Sequence, residues 1–348
     1  MAGMNPAAFH RRWCRMDSPQ SYTVVGAGGI GCALSYSLLA AGCPLLLVES
    51  DITKIAWGRA HGVCVDGLPS LPAQFVAFEE WNPLPSERVL LCTKCYDNPA
   101  VLARLPSGAT VIPVQNGFDP SFNSRGNFAE GIASFVSECI PGRTHTCITR
   151  KGSLHLGVHR NSSHRQDAVA AARTVAEMAA PLAKPGLFPV EIVTDILPFK
   201  HTKLIYNAAI GPLAAAAGLD NGQLLSMRKI RKLFFALLRE NYSILQSAGV
   251  SLGKIGPFHP STVDLILRAP SVAWALSWAF YPSLRGTYCS MHADLPRGKT
   301  EIDFYNGYLI ELAGKRACPL NLAIYDLIKS MEREHSRPGL EAVDRLCA

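Results

Sequence analysis

Tyr22-Thr23-Val24-Val25-Gly26-Ala27-Gly28-Gly29-Ile30-Gly31 is the stretch that decides how the rest of the chain is read. An apolar run to Val25 reads as a strand. A glycine loop follows, then apolar residues at helical spacing from Ile30 to Ala41, then a second apolar run, Leu45–Val48. This is a βαβ unit. The glycines fit G-x-G-x-x-G, after a strand and at the start of a helix, where the mechanism of that motif requires them. Gly26 permits the tight turn, Gly28 lets backbone N–H groups approach a pyrophosphate, and Gly31 allows close helix–strand packing. Ala27, Gly29 and Ile30 complete a loop whose helix N-terminus attracts phosphate charge. Glu49 closes the second strand, where an acid can accept hydrogen bonds from a ribose. A glycine turn without a ligand is the bland alternative, and the βαβ frame argues against it.

Outward from this unit, Val89–Cys92 and Thr110–Val114 are short apolar runs flanked by turn residues, as expected of parallel strands covered on both faces. Gly152–Val158 alternates polar and apolar residues and is expected to add an antiparallel strand at the edge of that sheet. An alanine-rich helical segment (Ala168–Leu182) and a Pro185–Pro189 breaker come next, and from about Asp195 the chain reads as helical. Ile230, Leu233, Phe234, Leu237, Leu238, Tyr242 and Leu245 recur at helical spacing as a core stripe ending at Gly249. Two further helices are expected over Lys299–Ala313 and Leu320–Glu334. The expected fold is α/β: a Rossmann-type doubly wound parallel sheet over residues 21–194 and an all-α C-terminal domain over residues 195–340. Residues 1–20 form an N-terminal extension.

Composition closes off other classes. A chain of 348 residues with 48% hydrophobic and 18% charged residues suits two globular domains and not a disordered or fibrous protein. The longest charge-free apolar stretches, Leu204–Leu219 and Ala269–Leu284, are 16 residues each and contain proline, short of the roughly 20 a membrane span needs. Part of the net charge of +7 sits in residues 1–20, where Arg11, Arg12 and Arg15 face only Asp17, and the remainder is spread. An anionic small molecule is therefore expected as partner, with no nucleic acid and no membrane. Eleven scattered cysteines fit free thiols in a reducing, cytoplasmic setting. The arginines of residues 1–20 leave organelle targeting as the alternative. Cys92-x-x-Cys95 lacks a second pair at zinc spacing, so no metal is expected.

Beyond the glycine loop, three blocks carry chemistry: Val114-Gln115-Asn116-Gly117; Lys203-Leu204-Ile205-Tyr206-Asn207 through Asn221-Gly222-Gln223-Leu224; and Ser290-Met291 through Asp294, Gly298, Thr300-Glu301-Ile302-Asp303 and Asn306-Gly307. Lys203 and Asn207 are i and i+4, so on a helix they present an ammonium and an amide from one face, a pair suited to an oxyacid. With their order and spacing, these blocks resemble the ketopantoate reductase family from about Tyr22 to Glu334. That resemblance implies reduction of a 2-oxo acid, first of all 2-dehydropantoate to (R)-pantoate in pantothenate synthesis, with NADPH or NADH. It gives Lys203 the role of general acid and pairs Glu301 with that lysine. It assigns Asn207, Asn221 and Ser290 to the substrate, and Asn116 to the nicotinamide and the substrate beside it. It places Lys94 on the cofactor's adenosine side. Taken singly, each has an ordinary reading: a surface lysine, a helix-face acid, a cap, or an Asn-Gly turn at Asn116-Gly117.

Two positions depart from the family pattern. Gly211 stands one turn beyond Asn207 where a second asparagine is usual, which suggests a different or bulkier 2-oxo acid as the alternative substrate. The usual arginine for a 2′-phosphate is absent; Ser50 follows Glu49, with Lys54 and Arg59 nearby. The acid leans the sequence slightly toward NADH, whereas the family leans toward NADPH. A dinucleotide-sensing protein without turnover is the rival outside enzymes. Oligomeric state is not fixed, and a homodimer stays open.

Overall fold

The computed structural model describes residues 21–125, 129–159, 165–344 and 346, so the extension 1–20 lies outside the described residues. In chain order the elements of the first half are β1 (Tyr22–Val25), α1 (Gly29–Ala40), β2 (Leu45–Glu49), α2 (Ile52–His61), β3 (Cys64–Val65), β4 (Gln74–Ala77), β5 (Arg88–Leu91), α3 (Asn98–Arg104), β6 (Thr110–Pro113), β7 (Ala129–Ala133), β8 (Val136–Cys139), β9 (His145–Arg150), β10 (Leu154–Val158), α4 (Arg165–Ala183) and β11 (Val190–Val193). Then come α5 (Leu197–Ala217), α6 (Asn221–Ser226), α7 (Arg228–Ser247), α8 (Pro260–Leu267), α9 (Pro270–Leu284), α10 (Ser290–Asp294), a π-helical turn (Asp303–Gly307) leading into α11 (Tyr308–Ala313), α12 (Pro319–Glu334) and α13 (Leu340–Asp344).

A five-stranded, all-parallel sheet runs in the order β4-β2-β1-β5-β6. The chain winds outward from β1 in both directions, so the switch point lies between β1 and β5, where open α/β sheets bind ligands at the carboxyl ends of their strands. Gly26, Glu49, Lys94 and Asn116 all lie at that edge, at or just past the ends of β1, β2, β5 and β6. The strands are continuous apolar runs because both faces are covered: Val24, Val48, Leu90 and Ile112 are fully buried.

The expected edge strand is placed differently. β10 is the middle of a second, three-stranded sheet, antiparallel to β7 and parallel to β11. Among the described residues, that sheet meets the first through one isolated parallel bridge, Val114–Gly131. The polar–apolar alternation of Gly152–Val158 correctly marks a strand but carries no information on its partner, and β11 hides in a proline-flanked segment. A third small sheet, β3-β9-β8, packs on α1.

In the helical half, α5 is the central element. Leu204, Ile205, Leu213 and Ala214–Ala216 are fully buried, as expected where the helix turns apolar on every side toward its C-terminus. Pro212 lacks an N–H, which leaves the Ala208 carbonyl without its helical donor; Asn306 Nδ2 donates to it instead, at 2.9 Å. Asn306 in turn bonds Asn321, and Asn321 bonds Asn241, whose amide reaches the Ile205 carbonyl at 2.9 Å. These three asparagines are fully buried and tie α5, α7, α12 and the π-helical turn together. The helix expected from Lys299 begins only at Ile302 and passes through the π turn, so Glu301 precedes the helix and does not ride on its face.

Candidate active site

The glycine loop behaves as its spacing requires. Gly26 has φ +98°, and a Cβ there would come within 2.9 Å of the Thr93 amide nitrogen. At Gly31 a Cβ would meet the Gly26 carbonyl oxygen at 1.8 Å, so this helix can only start against the loop with glycine. Gly28 faces open space and caps α1 without a side-chain acceptor, leaving first-turn N–H groups available to an anion. At Gly29 a Cβ would lie 2.3 Å from the Ser137 carbonyl, because β8 crosses the loop at that residue. Ser137 Oγ and Asn116 Oδ1 are buried without a hydrogen-bond partner. A free helix N-terminus, a glycine-lined cradle and orphaned polar atoms at its rim fit a dinucleotide.

Glu49 folds back on the loop. Its Oε2 accepts from the Ala27 amide at 2.8 Å, and its Oε1 accepts from the amides of Ser50 (2.8 Å) and Asp51 (3.1 Å). Lys54, noticed in the sequence only for proximity, donates to the Ala27 carbonyl at 3.0 Å and stands 3.9 Å from Glu49. Arg59 is committed elsewhere, to the Phe75 carbonyl at 3.2 Å. Ser50 is exposed, with its hydroxyl 3.3 Å from Glu49.

Lys203, on α5, reaches back to the first half of the chain and donates to the Ala133 carbonyl at the end of β7. Burial, helped by the charge of Arg150, brings its ammonium from the ordinary 10.5 down to about 7. Glu301 is not its partner. That carboxylate, 4% exposed, accepts from Lys94 Nζ at 3.3 Å, from the Cys95 amide at 3.2 Å and from the Tyr305 hydroxyl at 3.1 Å. Lys94 also pairs with Asp294 at 2.6 Å. Burial opposes the charge of Lys94, yet Glu301 and Asp294 together hold it above the ordinary lysine range. The expected Lys203–Glu301 pair is thus replaced by a Lys94–Glu301–Asp294 bridge between the end of β5 and the helical half. The expectation that a carboxylate keeps Lys203 cationic is overturned. Pairing across some 100 or 200 residues of sequence leaves no local signal: the sequence offers two lysines for one acid, and the fold brings Lys94 to it.

Asn116 sits at the mouth of β6, held in place by its neighbour. The Phe118 amide donates to the Phe304 carbonyl inside the π turn at 3.0 Å. Gly117 has no positive φ; a Cβ there would lie 2.7 Å from Phe304 Cβ and 2.8 Å from Cys95 Sγ. The Asn-Gly step is therefore a close approach of the two halves and not a left-handed turn. Beside it Phe118 stacks between His201 and Tyr308, and the buried Lys200 pairs with Glu130, which burial disfavours but Lys200 and His159 hold down to about 2.

Asn207 is half-buried one turn past Lys203. One turn further, Gly211 is buried with room for a side chain: the nearest atom to a Cβ is Met291 Cε at 4.0 Å, and Cys289 Sγ donates to the Gly211 carbonyl at 3.2 Å. Ser290, exposed between those two residues, is thereby held against α5. Asn221 opens α6 with its amide on the Thr287 carbonyl at 2.9 Å; its Nδ2 donates to Thr287 Oγ1, and its Oδ1 is buried and unpaired. The neutral donors therefore gather along α5 and the Thr287–Ser290 segment, and the charged residues Lys94, Asp294 and Glu301 cluster where the helical half meets the sheet edge. Cys92 and Cys95 are free thiols, with Cys92 pushed up to about 12 by burial. Asp294, Tyr305, Arg150 and Ser137 were missed as individual contributors; Asp294 alone had a sequence signal, its place in the third block.

This fold and site define an oxidoreductase that binds a nicotinamide dinucleotide at a Rossmann switch point and presents a half-buried lysine from a helical second half. The family model described as "Ketopantoate reductase PanE/ApbA" matches residues 22–167, and "Ketopantoate reductase PanE/ApbA C terminal" matches residues 195–332. The chain belongs to the ketopantoate reductase family, whose members act on CH–OH groups with NAD(P). It is 26% identical over 331 residues to 2-dehydropantoate 2-reductase of Pyrococcus horikoshii, covering 89% of this chain and 96% of that one. Among solved structures, a ketopantoate reductase of Ralstonia eutropha JMP134 superimposes with a TM-score of 0.69 at 21% identity, covering 91% and 99% of the two chains. A D-mandelate dehydrogenase in ternary complex with NADH and anilino(oxo)acetate gives 0.71 at 18%, covering 91% and 99%. Among the described residues no helix is long and apolar enough to cross a membrane.

Proposed function

We propose that the protein reduces the ketone of a 2-oxo acid, with 2-dehydropantoate, giving (R)-pantoate for pantothenate synthesis, as the substrate its relatives favour. The observation that carries this reading is Lys203: a lysine with no carboxylate partner among the described residues, brought to about 7, on the face of α5 that also bears Asn207. When bound, the dinucleotide supplies hydride to the carbonyl carbon. Lys203 donates a hydrogen bond to the ketone oxygen, stabilises the charge that develops there and delivers the proton. A donor whose pKa sits near the working pH is suited to that transfer. Asn207, Asn221 and Ser290 offer neutral donors to the substrate carboxylate and hydroxyls, and Asn116 lines the nicotinamide side. The Lys94–Glu301–Asp294 bridge fixes the two halves of the cleft. Reduction needs protonated Lys203, so kcat/KM for reduction should fall as pH rises through about 7.

For the cofactor, Glu49 supports NADH. A carboxylate at this place repels a 2′-phosphate, and the compensating Lys54 is occupied by the Ala27 carbonyl. A second reading, a bulkier 2-oxo acid, rests on the room at Gly211, and the mandelate dehydrogenase neighbour was solved with the aryl compound anilino(oxo)acetate. Oxidation of NADH and NADPH, followed with ketopantoate and a panel of branched and aryl 2-oxo acids, separates these readings. Absence of turnover with every 2-oxo acid overturns both.

A further inference from the structure

Two cysteines outside the proposed chemistry converge on the glycine loop. Cys32, fully buried, follows Gly31 on α1, and Cys139, half-buried, ends β8. Each sulfur lies 3.5 Å from the carbonyl oxygen of Ala27, and the Cys32 thiol hydrogen-bonds the Cys139 sulfur. The same carbonyl accepts Lys54 Nζ, and the Ala27 amide is held by Glu49. Ala27 is thus the peptide through which β8, α2 and the acid of β2 all grip the loop. Two residues before Cys139, the Ser137 carbonyl presses on Gly29. A change at the sulfur pair cannot leave the loop where it was.

We propose that Cys139 and Cys32 form an oxidation-sensitive dithiol, with a hydroperoxide as oxidant, and that its disulfide weakens dinucleotide binding. The Cys139 thiolate attacks one peroxide oxygen; the O–O bond breaks, hydroxide leaves and is protonated to water, and Cys139 becomes a sulfenic acid. Cys32 then gives up its proton and attacks the Cys139 sulfur, the S–O bond breaks, and a second water departs as the S–S bond forms. The sulfur pair loses two electrons and the peroxide gains them. The roles follow from the surroundings. The hydrogen bond from Cys32, aided by Lys54, holds Cys139 down to about 7 against its burial, whereas that bond and burial push Cys32 well up. A disulfide draws the two sulfurs to a bond of about 2.05 Å and removes the Cys32 thiol proton, the donor beside the Ala27 carbonyl. Cys92 and Cys95, both raised by burial, lack this activation.

This inference rests on the dinucleotide reading of the loop and is independent of which 2-oxo acid is reduced. The full-length protein is treated with a small excess of hydrogen peroxide, alkylated, and mapped by non-reducing peptide mass spectrometry. In parallel, NADH and NADPH binding are titrated by fluorescence. The expected result is a cross-linked Cys32–Cys139 peptide, reversed by dithiothreitol, together with about tenfold weaker dinucleotide binding, the order of one lost hydrogen bond. In C32S and C139S the peroxide response, measured against each untreated variant, should vanish, and C147S should keep it. Recovery of Cys32 and Cys139 both alkylated after peroxide overturns the pair. A cross-link formed with unchanged affinity overturns its effect on the loop. Failure of the reduced protein to bind either dinucleotide would refute the cofactor reading and, with it, the consequence assigned to the disulfide.

Discussion

Replacing Lys203 by methionine should make the protein more stable and far less active. An ordinary lysine titrates at 10.5 and Lys203 at about 7. At 1.36 kcal/mol per unit, the folded state at pH 7 carries a penalty of about 4 kcal/mol for holding that ammonium out of water. Methionine keeps the stem's packing and removes the charge, but it also leaves the Ala133 carbonyl without its donor, which costs about 1 kcal/mol. Water entering the cleft screens part of the penalty, so the net gain should be about 1–3 kcal/mol. The pH dependence identifies the cause. Because the folded pKa is depressed, the unfolded chain binds a proton between about 7 and 10.5 that the folded chain does not, so wild-type stability rises with pH across that window. Below pH 7 both states are protonated and the full penalty remains. Urea unfolding at about pH 7 and about pH 9.5 should therefore show Lys203→Met ahead at the lower pH and the gap closing at the higher one. Turnover of the 2-oxo acid should drop by about 10²–10⁴-fold with dinucleotide binding retained. A variant less stable at pH 7, with a gap that does not change with pH, would show that Lys203 is neither desolvated nor poised; undiminished turnover would remove it from the chemistry.

Glu49→Gln should raise kcat/KM for NADPH more than for NADH, since it removes a charge at the proposed ribose site while a side-chain oxygen remains for the Ala27 amide; equal effects would mean that the carboxylate serves only the loop. Gly211→Asn has space before Met291 and should improve kcat/KM for ketopantoate by the equivalent of about 1 kcal/mol while excluding bulkier 2-oxo acids; no change with any of them would put residue 211 outside the pocket. Gly117→Ala should cost about 1–3 kcal/mol of stability, because its methyl meets Phe304 and Cys95 below contact distance, and should lower activity by displacing Asn116. Thermal unfolding unchanged by that methyl would contradict the close approach.

Much of this molecule is written locally. The glycine spacing sets a turn with φ +98° at Gly26 and a helix that starts against it at Gly31, and the positive φ and the Gly26–Gly31 contact are both local, although β5 also closes on Gly26 through Cys92 and Thr93. The stripe of α7, the apolar C-terminal half of α5 and the acid at the end of β2 are local patterns too, and each appears where its period or position puts it. What the sequence could not decide is pairing. The strand at Leu154–Val158 carries its alternation but not its neighbours β7 and β11. Glu301 carries its charge but not the choice of Lys94 over Lys203. Register, ion-pair partners and the buried environment that brings Lys203 to about 7 depend on which surfaces meet when residues far apart in sequence are brought together. Desolvation and Coulomb energy arise from that assembled surrounding, so a lysine's role as acid or as strut is a property of the tertiary structure and not of the residue.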